Sequence, residues 1–141
     1  MSYEFRDHIR VGGIATVNGL NCQGPHVMSL KDVEKENPET DLSDPFVYEV
    51  APEDYFLAVQ QNHSSTGGVS VHIKLPIAGF NKGRIIWAWD ASLNADNLNI
   101  VFTDQNDNAI STISDAGHLG QVFCDGDEWH FMFGHEIAST A

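Results

Sequence analysis

Tyr55-Phe-Leu-Ala-Val-Gln60 opens a series of short apolar segments that extends as far as Gly134. Each segment is bounded by Gly, Pro, Asn or Asp, which are the residues that favour turns. Short strands at even spacing, with turn signals between them, are typical of an all-β sandwich, jelly roll or barrel. The strands predicted in this series cover residues 55–60, 69–75, 84–90, 98–104, 108–113, 120–125 and 128–133.

Apolar and polar residues alternate within most of these segments. Val71, Ile73 and Leu75 share one face of their segment, whereas His72 and Lys74 lie on the other. One apolar face per strand predicts half-buried antiparallel strands that pack on a second sheet. We therefore expect an antiparallel jelly-roll or β-sandwich body over residues 51–141.

The segment Arg84-Ile-Ile-Trp-Ala-Trp-Asp90 differs because it is apolar on both faces. Such a strand is either central and covered twice, or it presents one face to a neighbouring subunit. Trp is enriched both in cores and at interfaces, so both alternatives are open for its two tryptophans, with the core favoured. If the second face meets another subunit, Ile86, Trp87 and Trp89 are the predicted contacts.

Residues 1–50 form the predicted N-terminal arm. Two weak strand candidates, residues 8–11 and 14–17, flank Gly12-Gly13. Residues 29–36 are predicted to form one or two helical turns with Ser29 as the N-cap. An acidic loop over residues 39–45 then leads to a strand at residues 46–50. A ribbon of this kind is marginally stable alone, so we expect the arm to contact the body, a sister subunit or a larger surface.

Charge and cysteine content limit the possible partners and compartments. Twenty acidic and seven basic residues give a net charge of −13, which disfavours binding to nucleic acid or to an anionic membrane. Two cysteines, Cys22 and Cys124, are too few for a disulfide framework, and two separate thiols are favoured over one long-range bridge. No apolar run reaches membrane-spanning length and no signal peptide is evident, so folding in a reducing cytoplasm is expected.

No motif for catalysis or for a cofactor is apparent. The seven histidines lack zincin spacing, and the densest cluster combines His130, His135 and Glu136 with two nearby aspartates, Asp125 and Asp127. We interpret these groups as surface or interface residues. Residues 104–108 resemble a calcium loop faintly but are better explained as a hairpin turn. The protein is therefore predicted to be no enzyme and to bind no metal or cofactor.

Residues 55–133 resemble a module of the fibre, tail and capsid-decoration proteins of tailed bacteriophages. The resemblance consists of Val69-x-Val-x-Ile-x-Leu-Pro76, the following Lys82-Gly-Arg-Ile-Ile86, the central Leu98-Asn-Ile-Val-Phe-Thr-Asp104, and Gly120-Gln-Val-Phe-Cys-Asp-Gly-x-x-Trp-His-Phe131. It implies a small jelly roll and a homotrimer in a virion.

The leading functional hypothesis is a capsid decoration, or cement, protein that stabilises a phage head as a trimer. The major capsid protein or other virion proteins are the expected partners. The expected contacts of the arm are Phe5, Arg6, Ile9, Arg10 and Val11. A receptor- or carbohydrate-binding tail module is the alternative, with residues 62–68 and 90–97 as candidate sugar-binding loops. A cupin-type metal enzyme is a third hypothesis.

Overall fold

The computed structural model describes residues 29–36, 40–61 and 68–131 of the 141-residue chain. This part of the chain is almost entirely β structure, with one short 3-10 helix at Ala78–Phe80. The strands are β1 (Leu30–Val33), β2 (Phe46–Glu49), β3 (Phe56–Val59), β4 (Val71–Lys74), β5 (Ile85–Asp90), β6 (Ile100–Thr103), β7 (Ala109–Ile113), β8 (Leu119–Cys124) and β9 (Trp129–Phe131). The predicted all-β class is confirmed.

The strands form two sheets that enclose one core. Sheet A has five strands in the order β1-β3-β5-β8-β9, and sheet B has four in the order β2-β4-β6-β7. From β1 to β6 the chain alternates between the sheets, so that it winds as a two-layer coil. The last three strands then complete the sheets, β7 beside β6 and β8 and β9 beyond β5.

The prediction that the strands are all antiparallel is wrong. β1, β3 and β5 pair in parallel, as do β2, β4 and β6, and only β5–β8, β6–β7 and β8–β9 are antiparallel. Each return through the other sheet restores the direction of the chain, and the new strand then lies parallel to its predecessor. Period-two alternation reports which face is buried and carries no information about the direction of a neighbour. The jelly-roll topology is not confirmed.

Side chains at matching positions stack along the coil. On the inner face of sheet A, Val33 pairs with Val59 and Leu57 with Ala88. Opposite them, the inner face of sheet B contains the buried Val71, Ile73, Ile100 and Phe102. The two inner faces therefore form a continuous apolar core, from the β1–β2 end to β7 and β8.

The segment predicted to be helical forms β1 instead. Pairing with β3 gives its backbone hydrogen-bond partners and buries Val33 against the core, and a helix of so few residues would be marginal by itself. β1 and β2 both fall within the predicted arm, residues 1–50. The described part of that segment, from Ser29 onward, therefore belongs to the β body, while residues 1–28 lie outside the described residues.

Gly120 tests how tightly the two sheets pack. A Cβ at this position would lie 2.9 Å from both Phe102 Cε2 and Ile113 Cγ1, which is closer than real Cβ contacts. We expect Gly120→Ala to lower the free energy of unfolding by about 1–3 kcal/mol, because the buried side chains above it must shift. Denaturant unfolding measures this change.

Gly79 provides the matched control for Gly120. It lies in the exposed 3-10 helix with nothing within 4 Å of a built Cβ. Gly79→Ala should leave the stability within about 0.5 kcal/mol of the wild type. Equal losses in the two variants would contradict the packing described here.

Candidate functional site

The outer face of sheet A carries an unusual concentration of apolar side chains. Strand alternation directs Ile86 and Ala88 into the core, and therefore Trp87 and Trp89 outward. We define the aromatic face as the outward residues Leu30, Phe56, Ile85, Trp87, Trp89, Leu119 and Phe123. Exposure is highest at Leu30 (63%), Leu119 (40%) and Trp89 (36%). The core interpretation of the two tryptophans is therefore wrong.

The members of the aromatic face lie on neighbouring strands. Leu30, Phe56 and Trp87 occupy matching positions on β1, β3 and β5. The rings of Phe56 and Trp87 are stacked, with centroids 6.1 Å apart and planes inclined by 14°. Trp89 pairs with Leu119 across the antiparallel boundary with β8. These contacts make one continuous surface that spans four strands.

The predicted interface residues separate into two groups. Trp87 and Trp89 lie on the aromatic face, where a second subunit could contact them, whereas Ile86 is fully buried in the core. The Ile86 side chain is therefore unavailable for a subunit contact, and its part of the prediction is corrected. The predicted arm contacts, Phe5, Arg6, Ile9, Arg10 and Val11, lie outside the described residues.

A polar cluster closes the core at the β1–β2 end. The Asp54 carboxylate is buried and accepts hydrogen bonds from the Tyr48 hydroxyl and from the backbone N–H of Ala51 at 2.8 Å. Lys31 Nζ lies 3.8 Å from Asp54 Oδ1 and 5.2 Å from the centroid of the Tyr48 ring. The Arg84 guanidinium, on the other side, donates to the backbone carbonyls of Ala51 and Asp54. The cluster thus ties β1, β2 and the start of β5 to the turn before β3.

The pKa shifts within this cluster follow from these contacts. Burial raises the pKa of Tyr48, and the hydrogen bond that it donates to Asp54 raises it further. Contact with the Tyr48 hydroxyl raises the pKa of Lys31. Burial lowers the pKa of Arg84. Since Tyr48 holds its proton more firmly than usual, it acts as a hydrogen-bond donor to Asp54 and is poorly suited to be a base.

Removing the Tyr48 hydroxyl tests how much it contributes to the stability of the fold. Tyr48→Phe leaves one oxygen of the buried Asp54 carboxylate without its side-chain donor, so we expect a loss of about 1.5–3 kcal/mol in the free energy of unfolding. Tyr55→Phe is the control, because the Tyr55 hydroxyl makes no hydrogen bond to any residue that the structure describes. Similar unfolding midpoints for Tyr48→Phe and the wild type in urea would rule out this role.

Asp125, Glu128 and His130 form a second polar cluster, at the turn between β8 and β9. Their ligand-type atoms all lie within 4.8 Å of one another. His130 Nε2 lies 2.7 Å from Asp125 Oδ2 and 3.8 Å from Glu128 Oε1, and its ring stacks on Phe123. Asp125 Oδ1 accepts the backbone N–H groups of Asp127 and Glu128. His135 and Glu136 of the predicted cluster lie outside the described residues.

These contacts give the Asp125 carboxylate a low pKa of about 2, first through the N–H of Glu128 and then through His130. A carboxyl whose folded pKa lies below its unfolded value stabilises the protein above the unfolded pKa, near 4. That stabilisation should disappear as the pH falls from about 4 to about 2. Thermal unfolding between pH 6 and pH 2 should show a smaller decline for Asp125→Asn than for the wild type. Identical declines would contradict the assignment.

The predicted hairpin turn lies between β6 and β7. Asp104 Oδ1 accepts the backbone N–H groups of Asn106 and Asn108, at 2.8 and 2.9 Å, and Asp107 has a left-handed φ of 64°. Hydrogen bonds from the Asn108 backbone, and from its side chain, lower the pKa of Asp104. This carboxylate organises the turn.

The candidate sugar-binding loop after β5 is built around a buried acid. Asp90 Oδ2 accepts the backbone N–H groups of Ala95 and Gly117, at 2.8 and 3.0 Å, while Ser92 Oγ donates to Oδ1 at 3.1 Å. Asp90 is fully buried, so it holds the loop in place and is inaccessible to a sugar. The other candidate loop, residues 62–68, is described only at Gly68.

Cys124 is a free, buried thiol whose Sγ lies 3.2 Å from the carbonyl oxygen of Ala78, whereas Cys22 lies outside the described residues. None of the helical structure in the described ranges has the length and apolar character needed to cross a membrane. No protein-family model and no curated protein matches this chain. Its function is therefore inferred from the surfaces described above.

Sequence reasoning missed two features of this site. The Lys31–Tyr48–Asp54 cluster gave no signal, because its members belong to no motif and Lys31 is distant in the sequence from the other two. The extent of the aromatic face was also missed, although the two-faced apolar segment at residues 84–90 was its visible sign. The registers with β3 and β8 add Phe56, Leu119 and Phe123 to that segment.

Proposed function

We propose that this protein is a virion structural protein, a capsid decoration protein that stabilises a phage head as a homotrimer. The aromatic face is the observation that carries the proposal. Monomeric soluble proteins rarely expose a large contiguous apolar patch, and such a patch usually marks an interaction surface. Trp87 and Trp89 would be the anchors of the contact between copies.

Charge supports this face as the contact between copies. The chain has a net charge of −13, so two copies repel one another over most of their surfaces. Among the outward positions of the described sheet A strands, Asp32 is the only carboxylate. The aromatic face therefore combines contiguous apolar side chains with little like-charge repulsion, as the centre of a subunit interface requires.

The decoration role follows from what such a body can do mechanically. A cement protein acts by burying surface across the joints between shell subunits, so that opening a joint exposes that surface to water. A compact β body supplies a rigid surface, and an arm that adds as a strand to a partner supplies backbone hydrogen bonds. No reaction is required of any residue.

Substitutions on the aromatic face test the trimer. We expect a trimer at micromolar concentration in sedimentation, and Trp87→Glu with Trp89→Glu should weaken it at least about 30-fold, because buried Trp anchors are typically worth 2 kcal/mol or more. Val47→Glu, on the exposed outer face of sheet B, is the control and should remain trimeric. Circular dichroism checks that each variant is folded. A wild-type monomer would refute the trimer.

Location in a particle tests the virion role separately. Purified virions of a phage whose genome carries this gene should contain the protein. When the variant with Trp87→Glu and Trp89→Glu replaces the wild type, the variant protein should dissociate from intact heads. Its presence only in detached tails would favour the alternative of a tail adhesion module. Complete absence from virions would refute the proposal.

One observation favours carbohydrate binding as the second candidate. Trp89 is partly exposed on the outer face of sheet A, where Gln121 lies beside Trp87 in the register of β5 and β8. An aromatic ring next to an amide can stack on a sugar while it hydrogen-bonds a hydroxyl group. Glycan-array binding that is lost in Trp89→Ala would support this candidate.

A further inference from the structure

In the part of the chain that the structure describes, no strand covers the outer edge of β1 or of β2, at one end of the coil. Within the described residues, β1 pairs only with β3, and β2 pairs only with β4. Because the two sheets stack in the same direction along the coil, both edges lie at one end of the body. An unpaired edge presents backbone N–H and C=O groups that an extended chain can pair with.

Acidic side chains surround this open end. A cavity of about 630 Å³ lies there, with exposed Asp32, Glu34 and Glu36 in its lining. Of the two lysines in the same segment, Lys35 is buried with Nζ 2.7 Å from the Asp41 carbonyl oxygen, and Lys31, which also lines the cavity, extends toward Asp54 and Tyr48. The acids Asp32, Glu34 and Glu36 outnumber the one exposed lysine, so the open end fits an extended segment with a basic face toward these acids and a mainly apolar face toward the core.

The chain contains one segment of that chemistry. Of the seven basic residues, only Arg6 and Arg10 lie outside the described part of the structure. In an extended strand, Arg6, His8 and Arg10 would share one face, and the other would carry three apolar residues and one acid, Phe5, Asp7, Ile9 and Val11. The basic face would meet the acids around the open end, and the mainly apolar face would cover the end of the core at Val33.

We propose that residues 5–11 of one copy add as a strand beside β1 of a neighbouring copy. This inference rests on the proposed assembly, and it identifies the β1 edge as the acceptor of the arm. Strand addition gives affinity through backbone hydrogen bonds, while the charges around the edge select a basic segment. The contact links copies through the backbone edge of β1, which borders the aromatic face at Leu30.

Chemical cross-linking of the full-length protein tests this contact. Two chains of different tag length, both in a Cys22→Ser background, carry His8→Cys or Asp32→Cys. They are mixed and treated with a short bismaleimide, and Cys124 is protected by burial. We expect a cross-linked dimer that contains one chain of each tag length, which its size on a denaturing gel identifies; this is the mixed product. Asp115→Cys, on an exposed turn far along the chain from β1, replaces Asp32→Cys in the control and should give almost none.

Charge removal gives the second measurement. Asp32→Asn, Glu34→Gln and Glu36→Gln together should weaken the contact about tenfold, as expected for two or three exposed ion pairs. Added salt should have a similar effect. The matched control removes the same number of exposed acids elsewhere, with Asp96→Asn, Asp115→Asn and Asp127→Asn. It should leave the yield of the mixed cross-linked product unchanged.

The possible outcomes separate this inference from the proposed function. A trimer without the mixed product would overturn the arm contact and leave the trimer intact. A further variant carries both His8→Cys and Asp32→Cys in one chain. If it cross-links only within that chain, residues 5–11 contact their own body, which also overturns the proposal. A mixed product from a protein without the aromatic-face trimer would support the arm contact and refute the proposed trimer.

Discussion

The parallel pairing of β3 with β5 is the constraint on which the rest of the structure depends. Two parallel neighbours cannot be joined by a tight turn, so the chain must leave sheet A and return, and it does so through β4 in sheet B. The same requirement operates between β1 and β3 and, in sheet B, between β2, β4 and β6. The two sheets therefore arise together, as the two sides of one winding path. Neither sheet can form fully without the other.

This path also decides which residues reach solvent. β5 lies in the middle of sheet A, where Ile86 and Ala88 must fill the core and Trp87 and Trp89 must point away from it. The outward row gains Phe56 from β3 and Leu119 from β8, so the aromatic face depends on strand order more than on any single segment. The acidic β1–β2 end has a different character, because it presents backbone edges and charge where the aromatic face presents apolar area. A body with two such unlike surfaces is suited to hold two different contacts.

The sequence predicted the positions of β2 to β9 well, because each is a short apolar or alternating segment bounded by turn residues. It also predicted the turns at Asp104 and Asp125, where a short acidic side chain accepts backbone N–H groups. β1 was missed because Lys-Asp-Val-Glu resembles a surface helix, and only pairing with β3 makes it a strand. The direction of the neighbours and the exposure of Trp87 were not predictable, since alternation reveals burial alone and a two-faced apolar strand fits a core as well as a surface. Asp54 gave no signal, because its nearby partners Tyr48 and Ala51 form no recognised motif with it and Lys31 comes from a distant part of the chain.

The winding path has a consequence for how the body could change in length. Each circuit, such as the one from Leu30 to Phe56, returns the backbone to an equivalent position one strand further along both sheets. Duplication of one such stretch of the gene would add one strand to each sheet and leave the cross-section of the body the same. Deletion of one stretch would remove one strand from each sheet. The length of the body can therefore change only in steps of one whole circuit. Insertions of other sizes should be tolerated only in the connections between strands.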